Sequence, residues 1–261
     1  MKLIKLGGAA LQDQSVLENL CANIADIYKF EKDLIIVHGG GPAINDELLR
    51  HGISWEFKNG LRVTTPQMMK VIESVLVGQV NQNLVRTLNK FKVPAMGISG
   101  ASNQFLKCKQ LNSELGLVGD IENVNTEWLQ KVIKATGVVP VIAPIGFDCE
   151  SGLAFNINAD WAAIRIAESM AIEKVYFVTD QNGILDHSKQ LLQKLNPLEL
   201  QKLIDKQVVT GGMLTKVNTI LHGLNHGVEE VNILNGSENF GLFKSFKNDL
   251  YLQTKCTCIN K

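Results

Sequence analysis

Apolar positions along the chain follow two alternating rhythms: short uninterrupted runs that end on glycine or a small residue, and longer stretches with apolar residues three and four apart. The first run, "KLIKLGG" from Lys2, reads as a strand ending at Gly7 and Gly8. The segment after it, roughly Leu11 to Phe30, places Val16, Leu17, Leu20, Ile24 and Ile27 at helical spacing. "KDLIIVHGG" repeats the strand-to-glycine form, and further runs follow at 93–100, 137–146, 174–180 and 228–234. Helices are predicted over Thr65 to Lys90, Thr126 to Ala135, Asn158 to Met170, Pro197 to Asp205 and Met213 to His222. Strand, glycine turn and helix in repetition is the rhythm of a mainly parallel sheet covered by helices. Residues 101–125 and 147–156 break the rhythm and are predicted as hairpins or loops beyond the sheet edge.

In the helix predicted from Thr65, Ile72, Val75, Leu76, Val80, Leu84 and Leu88 form an apolar stripe, and Pro66 stands where a helix start tolerates it. The stripe is expected to pack on the sheet, with a share in a subunit interface as the alternative. No linker, low-complexity tract or internal repeat divides the chain, so a single domain over residues 1–261 is predicted. Residues after about 171 would form a second lobe of the same sheet.

Composition narrows the class. The 261 residues are 45% apolar, enough for a substantial core. Lys plus Arg equals Asp plus Glu at 26 each, so overall charge does not point to nucleic acid or an anionic membrane. A small-molecule partner suits this neutrality. "MKLIKLGG" reaches glycine too soon to supply a signal-peptide core, and the chain reads as cytoplasmic. The cysteines, Cys21, Cys108, Cys149, Cys256 and Cys258, are odd in number and scattered, as expected of reduced thiols. Cys256 and Cys258 form a C-x-C without a second pair at ligand spacing, so no structural metal is expected.

The chemistry is concentrated at the ends of the apolar runs. In "IIVHGGGPAINDELL" three consecutive glycines, Gly39 to Gly41, precede a helix-like segment, an arrangement that presents bare amides and the positive end of a helix dipole. The stretch matches neither G-x-G-x-x-G nor the P-loop pattern, and by itself it could be a tight structural turn. His38 beside it is read as structural. Lys5 precedes a second glycine pair, Gly7 and Gly8, and Lys216 follows a third, four residues after Gly212. "FNINADWAA" sets Asn156, Asn158 and Asp160 around a helix start, where such residues also serve as caps. Four such stretches at strand ends share one simple explanation, a site across the C-terminal edge of the sheet.

Seven motifs in order, "KLGGAAL", "IIVHGGGPAIN", "NGLRVTT", "GISG", "FNINADWAA", "VTDQNGI" and "VTGGMLTKV", resemble the amino-acid kinase family, in particular its members that phosphorylate N-acetyl-L-glutamate. The resemblance implies an open αβα sandwich with a central, mainly parallel sheet of about eight strands. It further implies an N-terminal lobe of about 1–170 for the acylated amino acid and a C-terminal lobe of about 171–261 for ATP. The implied reaction is transfer of the γ-phosphoryl group of MgATP to a side-chain carboxylate, giving an acyl phosphate and ADP. By the same match Lys5 and Lys216 flank the transferring group, and Asp160 holds their ammonium groups. Gly8, Gly40 and Gly41 supply backbone donors, Gly8 toward the nucleotide and the other two toward the acid. Arg62 and Asn156 take the α-carboxylate end, Thr179, Asp180 and Gly212 seat the nucleotide, and magnesium arrives on its phosphates. A homodimer through the N-terminal lobe is implied as well. The chain opens directly on its first strand, so weak or absent feedback inhibition by arginine is expected.

Elementary chemistry agrees with these residue types. A glutamate-like carboxyl, with a pKa of about 4.3, is already ionised at neutral pH, so no general base is needed. The obstacle is repulsion between a carboxylate and a phosphate, which lysines and amides relieve. "GISG" continues with Ala101, Ser102 and Asn103 where the family commonly has Lys-Asp-Gly. The acyl group therefore stays open: N-succinylglutamate or an aminoadipate derivative are alternatives, as is a non-catalytic sensor of nucleotide or amino acid.

Overall fold

The structure, a computed structural model, describes residues 1–237, 241–247 and 254–261. In chain order its strands are β1 (Lys2–Leu6), β2 (Leu34–His38), β3 (Phe57–Lys58), β4 (Leu61–Arg62), β5 (Ala95–Ile98), β6 (Leu106–Gln110) and β7 (Gly119–Val124). There follow β8 (Val139–Ile142), β9 (Ile145–Phe147), β10 (Ala154–Asn156), β11 (Lys174–Thr179), β12 (Lys194–Leu195), β13 (Glu230–Asn235) and β14 (Thr257–Asn260). The helices are α1 (Gln14–Tyr28), α2 (Gly41–Arg50), α3 (Pro66–Glu73), α4 (Gln82–Lys90), α5 (Thr126–Thr136), α6 (Ala159–Ser169), α7 (Pro197–Asp205), α8 (Gly211–Asn225) and α9 (Gly241–Lys247).

Eight strands form the central sheet in the order β12-β14-β13-β11-β1-β2-β8-β5, parallel except where β13 meets β14. β1 sits mid-sheet, between β11 and β2. Successive residues of its strands alternate between two cores, the mark of a parallel sheet buried on both faces. Leu3, Ile35, Val37, Val175 and Phe177 join the core beneath α6 and α8. Ile4, Leu6, Ile36, Tyr176 and Val178 join the one beneath α1 and α4. The expected αβα sandwich is therefore present, with strands of the C-terminal part on one side of β1 and β2, β8 and β5 on the other.

Local sequence accounts for most helix ends. Asp13 caps α1 by accepting from the Ser15 and Val16 amides, Thr65 caps α3 ahead of Pro66, and Asn196 with Glu199 forms a capping box on α7. Three expectations are corrected. The run 137–146 is not one strand: it divides at Ala143 and Pro144 into β8 of the central sheet and β9 of a second, four-stranded sheet ordered β10-β9-β6-β7. The other three strands of that second sheet, β6, β7 and β10, come from the two stretches expected as hairpins or loops beyond the sheet edge. The predicted helix over 65–90 is α3 and α4 joined by a π-helical segment, Ser74–Asn81. Its stripe is divided as well: Ile72, Val75 and Leu76 pack with Ile44 and Leu48 of α2, whereas Leu84 and Leu88 pack in the α1 core. Lastly, α8 runs from Gly211 to Asn225, beyond the expected Met213 to His222. Cys256 and Cys258 are buried at β14, and among the described residues no group of three or more His, Cys, Asp or Glu side chains is placed to hold a metal ion. Among those residues no helix is long and apolar enough to cross a membrane.

Candidate active site

Lys5 lies on the same face of β1 as Leu3, the face that α6 covers. Asp160 occupies the first turn of α6, whose N-terminus Asn158 caps by accepting from the Asp160 and Trp161 amides. Lys216 is in the second turn of α8. The three side chains meet: Lys5 Nζ is 2.7 Å from Asp160 Oδ1 and Lys216 Nζ 2.5 Å from Oδ2, with side-chain exposures of 10, 13 and 11% for Lys5, Asp160 and Lys216. Burial works against the Asp160 charge, yet the two ammonium groups more than offset it and hold the carboxyl well below the usual carboxylate range. Burial also draws the Lys5 pKa down; Asp160 opposes that fall and Lys216 adds to it. The cluster carries two cations on one anion, a net positive charge with little water to screen it.

Two cavities meet this cluster from different sides. One, of about 290 Å³, is lined by Lys5, Asp160, Gly8, Gly40 and Gly41, with Arg62 and Asn156 among its other lining residues. The second, of about 450 Å³, is lined by Thr179, Asp180, Gly212, Met213 and Lys216. Every site residue singled out from the sequence thus lines one cavity or the other. Gly8, grouped there with the nucleotide residues, lies instead on the first cavity with Gly40 and Gly41.

Arg62 is the unusual member of the first cavity. It is 7% exposed, and its only hydrogen bond from the guanidinium among the described residues runs from Nη2 to Asn45 Oδ1 at 2.5 Å. Among the same residues Nη1 is buried without a partner. The ring centroids of Phe57 and Trp55 lie 4.7 and 5.4 Å from the guanidinium carbon, and burial lowers the pKa to about 10. A buried guanidinium with a spare N–H and no acidic partner is suited to an incoming carboxylate, which it can grip with two parallel bonds. Asn156 donates to Thr64 Oγ1 at 3.2 Å, and that hydroxyl donates to the Arg62 carbonyl at 2.9 Å, so the two residues are braced as a unit.

The glycine turns pack backbone against backbone. A Cβ at Gly8 would lie 2.8 Å from Gly40 N and 2.9 Å from Gly41 N, and one at Gly40 would lie 2.5 Å from Leu76 Cδ2. At Gly41 it would meet nothing within 4 Å. Gly8 is therefore required by close approach of backbone to backbone, a Cβ at Gly40 would press on the end of the Leu76 side chain, and the third leaves open space at the cavity. Neither α2, starting after Gly40, nor α8, starting after Thr210, has a side-chain cap on its first turn. Both leave positive ends and free amides toward the cavities.

Three contributors were not singled out from the sequence. Asn45 is the Arg62 partner, and its only sequence signal is its place inside the glycine motif. Thr64 braces Asn156. Thr215 donates to the Asn59 carbonyl at 3.2 Å, so the β3–β4 hairpin that carries Arg62 rests on the helix that carries Lys216. A Cβ at Gly60 would fall 2.4 Å from that hydroxyl oxygen.

The model of the amino acid kinase family matches residues 1–235. The chain belongs to the amino acid kinase family. Among curated relatives, the acetylglutamate kinase of Trichlorobacter lovleyi is 38% identical over 267 residues, spanning 98% of this chain and 91% of its own. The acetylglutamate kinase of Bacillus cytotoxicus is 38% identical over 238 residues, spanning 91% of this chain and 90% of its own. Among solved structures, smu.665 of Streptococcus mutans UA159 has a TM-score of 0.79 at 29% identity, over 89% of this chain and 94% of that one. N-acetylglutamate synthase of Neisseria gonorrhoeae, solved with coenzyme A and N-acetyl-glutamate, has a TM-score of 0.86 at 22% identity. It matches all of this chain with 59% of its own, a likeness of fold.

Proposed function

We propose that this amino acid kinase transfers the γ-phosphoryl group of ATP to the γ-carboxylate of N-acetyl-L-glutamate, giving an acyl phosphate and ADP in arginine biosynthesis. The observation that carries the reading is the Lys5–Asp160–Lys216 cluster, shared by a cavity holding a buried guanidinium with no acidic partner among the described residues and a second one at an uncapped helix N-terminus. The named relatives support the same choice of acid.

In this reading Arg62, with Asn156, fixes the α-carboxylate, so the γ-carboxylate is directed toward Lys5 and the glycine amides. Asp160 is held too far below neutral pH to accept a proton, and an ionised nucleophile asks for none. Its task is to orient two ammonium groups, which neutralise charge between carboxylate and phosphoryl oxygens as they approach. Fixed donors of this kind contribute about 3 kcal/mol each to a transition state. Thr179, Asp180, Gly212 and the α8 N-terminus hold the nucleotide in the C-terminal lobe, about 171–261, while the acid sits in the lobe of about 1–170. Magnesium on the phosphates supplies further neutralisation. A homodimer through the N-terminal lobe belongs to the proposal, and sedimentation of the purified chain tests it.

A specific observation keeps a second acid in view. Leu61, Val118 and Asn158 line both the acid cavity and a neighbouring cavity of about 410 Å³ that also meets Trp161, Thr215 and His222. An acyl group longer than acetyl could extend past that wall. Acyl hydroxamate formation with ATP, across N-acetyl-, N-succinyl- and unacylated glutamate and N-acetylaminoadipate, separates these substrates. Turnover restricted to the N-acetylglutamate arm supports the proposal. ATP binding without turnover on any acid would favour a sensor.

A further inference from the structure

His38 ends β2 and is fully buried, and so is Asn81, at the last position of the π-helical segment. Their side chains form a short polar relay inside an apolar core. Asn81 Nδ2 donates to the Val141 carbonyl at 2.8 Å and faces His38 Nε2 at 3.1 Å; His38 Nδ1 lies 2.9 Å from the Gly39 carbonyl oxygen. The Val141 carbonyl can only accept, so the Asn81 atom facing it is the amide nitrogen. That same nitrogen meets Nε2, which must accept in turn. The proton of the neutral ring is then on Nδ1, donating to Gly39. Burial lowers the His38 pKa to about 4, in keeping with a neutral ring at pH 7. The relay is seated tightly: a Cβ at Gly97 of β5 would fall 2.1 Å from Asn81 Oδ1.

What the relay grips is a peptide plane. The Gly39 carbonyl and the Gly40 N–H belong to one planar unit and point in opposite directions. Anchoring the oxygen on the imidazole turns the Gly40 N–H away from His38, and this amide has no backbone acceptor among the described residues. Gly39, Gly40 and Gly41 all line the acid cavity beside Lys5. Three glycines in a row have the greatest backbone freedom of any tripeptide, and no side chain of their own to restrain it. An amide that is to stabilise developing charge must be oriented before the reaction.

We propose that His38 is a positioning residue: its Nδ1–H, set by Asn81 from the π-helical segment, locks the Gly39–Gly40 peptide so that the Gly40 amide is a preorganised donor in the acid cavity. His38 itself touches neither substrate. The role rests on the kinase reading above.

Two substitutions separate the ring nitrogens. The amide nitrogen of asparagine in His38→Asn occupies the Nδ1 position and can still donate to Gly39, whereas His38→Gln reaches the Nε2 position and Asn81 but loses the donor. Steady-state kinetics should show His38→Gln lowering kcat by about 10- to 100-fold, with the KM of acid and of ATP changed by less than about threefold. His38→Asn should keep kcat within about fivefold of the wild type, although it fills the site less well and melts at or below the His38→Gln temperature. A merely structural role predicts the opposite, with kcat falling in the order of melting temperature. That result, or a wild-type kcat in His38→Gln, overturns the proposal. Nitrogen-15 NMR of histidine-labelled wild type supplies a readout independent of any variant's folding: the Nδ1–H tautomer at His38 is expected, and the Nε2–H tautomer refutes the relay. A wild type with no turnover on any acid overturns the kinase reading, and this role with it. Turnover in the wild type with His38→Gln unaffected overturns this role alone.

Discussion

Replacing Arg62 with methionine should make the unliganded protein more stable and nearly unable to bind its acid. Arg62 is 7% exposed, pairs with no carboxylate among the described residues, and leaves Nη1 unpartnered. Its pKa falls from 12.5 to about 10 through burial. Taken whole, that shift corresponds to about 3 kcal/mol of unfavourable burial. The guanidinium borders an open cavity, where water screens it, so about 1–2 kcal/mol is the fair expectation. Methionine keeps an apolar stem beside Phe57 and Trp55, and the half-buried Asn45 can turn to water for its lost bond. The net gain is about 1 kcal/mol, or a Tm higher by about 2–4 °C for a chain of this size. Binding moves the other way. Removing one side of a buried, hydrogen-bonded charge pair costs about 2–5 kcal/mol, which is roughly 30-fold to several thousand-fold in Kd. Differential scanning fluorimetry without ligand and isothermal titration with N-acetyl-L-glutamate measure the two effects separately. Millimolar acid should raise the Tm of the wild type and leave that of Arg62→Met in place. An Arg62→Met protein that binds the acid within about threefold of the wild type would refute the assignment of Arg62 to a substrate carboxylate. A Tm lowered by several degrees would refute the argument that the empty site carries an uncompensated cation.

Other substitutions test the remaining parts of the site. Asp160→Asn leaves two buried ammonium groups without their anion and should cost about 3–5 kcal/mol in urea unfolding. Lys216→Met should lower kcat by about 10²- to 10³-fold while the KM for the acid changes little, since the lysine faces the second cavity. Gly8→Ala drives a Cβ to 2.8 Å from Gly40 N and 2.9 Å from Gly41 N; the turns must part, at a cost of about 1–3 kcal/mol. Gly41→Ala meets no atom within 4 Å and should fold as well as the wild type, yet lose turnover because the methyl occupies the acid's space. His38 makes stability depend on acid. Its folded pKa of about 4 lies below the ordinary 6.5, so the folded state binds fewer protons and the contribution is complete above pH 6.5. It declines as the pH falls toward 4, by about 3 kcal/mol in all, and denaturant midpoints of His38→Asn should lack that slope.

Much of the architecture was legible from local pattern because local physics produces it. Strands β1, β2, β11 and β13 stand where short apolar runs end in glycine, asparagine or threonine, and α1, α3, α6 and α7 start at Asp13, Thr65, Asn158 and Asn196, side chains that satisfy amides two or three residues on. The run from Gly137 to Gly146 was misread for a reason of the same kind. A continuous apolar run says that a segment is buried, and it cannot say that the chain passes from one sheet to another at Pro144. The short strands β12 and β14 carried no signal, since pairing with distant partners, not their own periodicity, makes them strands.

The chain's own sequence determined which residues could do chemistry: two lysines, an aspartate and an arginine at strand and helix ends, and glycines in the turns beside them. Only the folded arrangement decided what those glycines are for. Gly8 is bare because the Gly40 and Gly41 backbone fills the space its Cβ would take, a contact between segments that no spacing along the chain encodes. Likewise Lys5 and Lys216, far apart along the chain, share one carboxylate because α6, which covers β1, also packs against α8. Periodicity arises from bonds between near neighbours. A charge cluster depends on distances through space, and those come from packing.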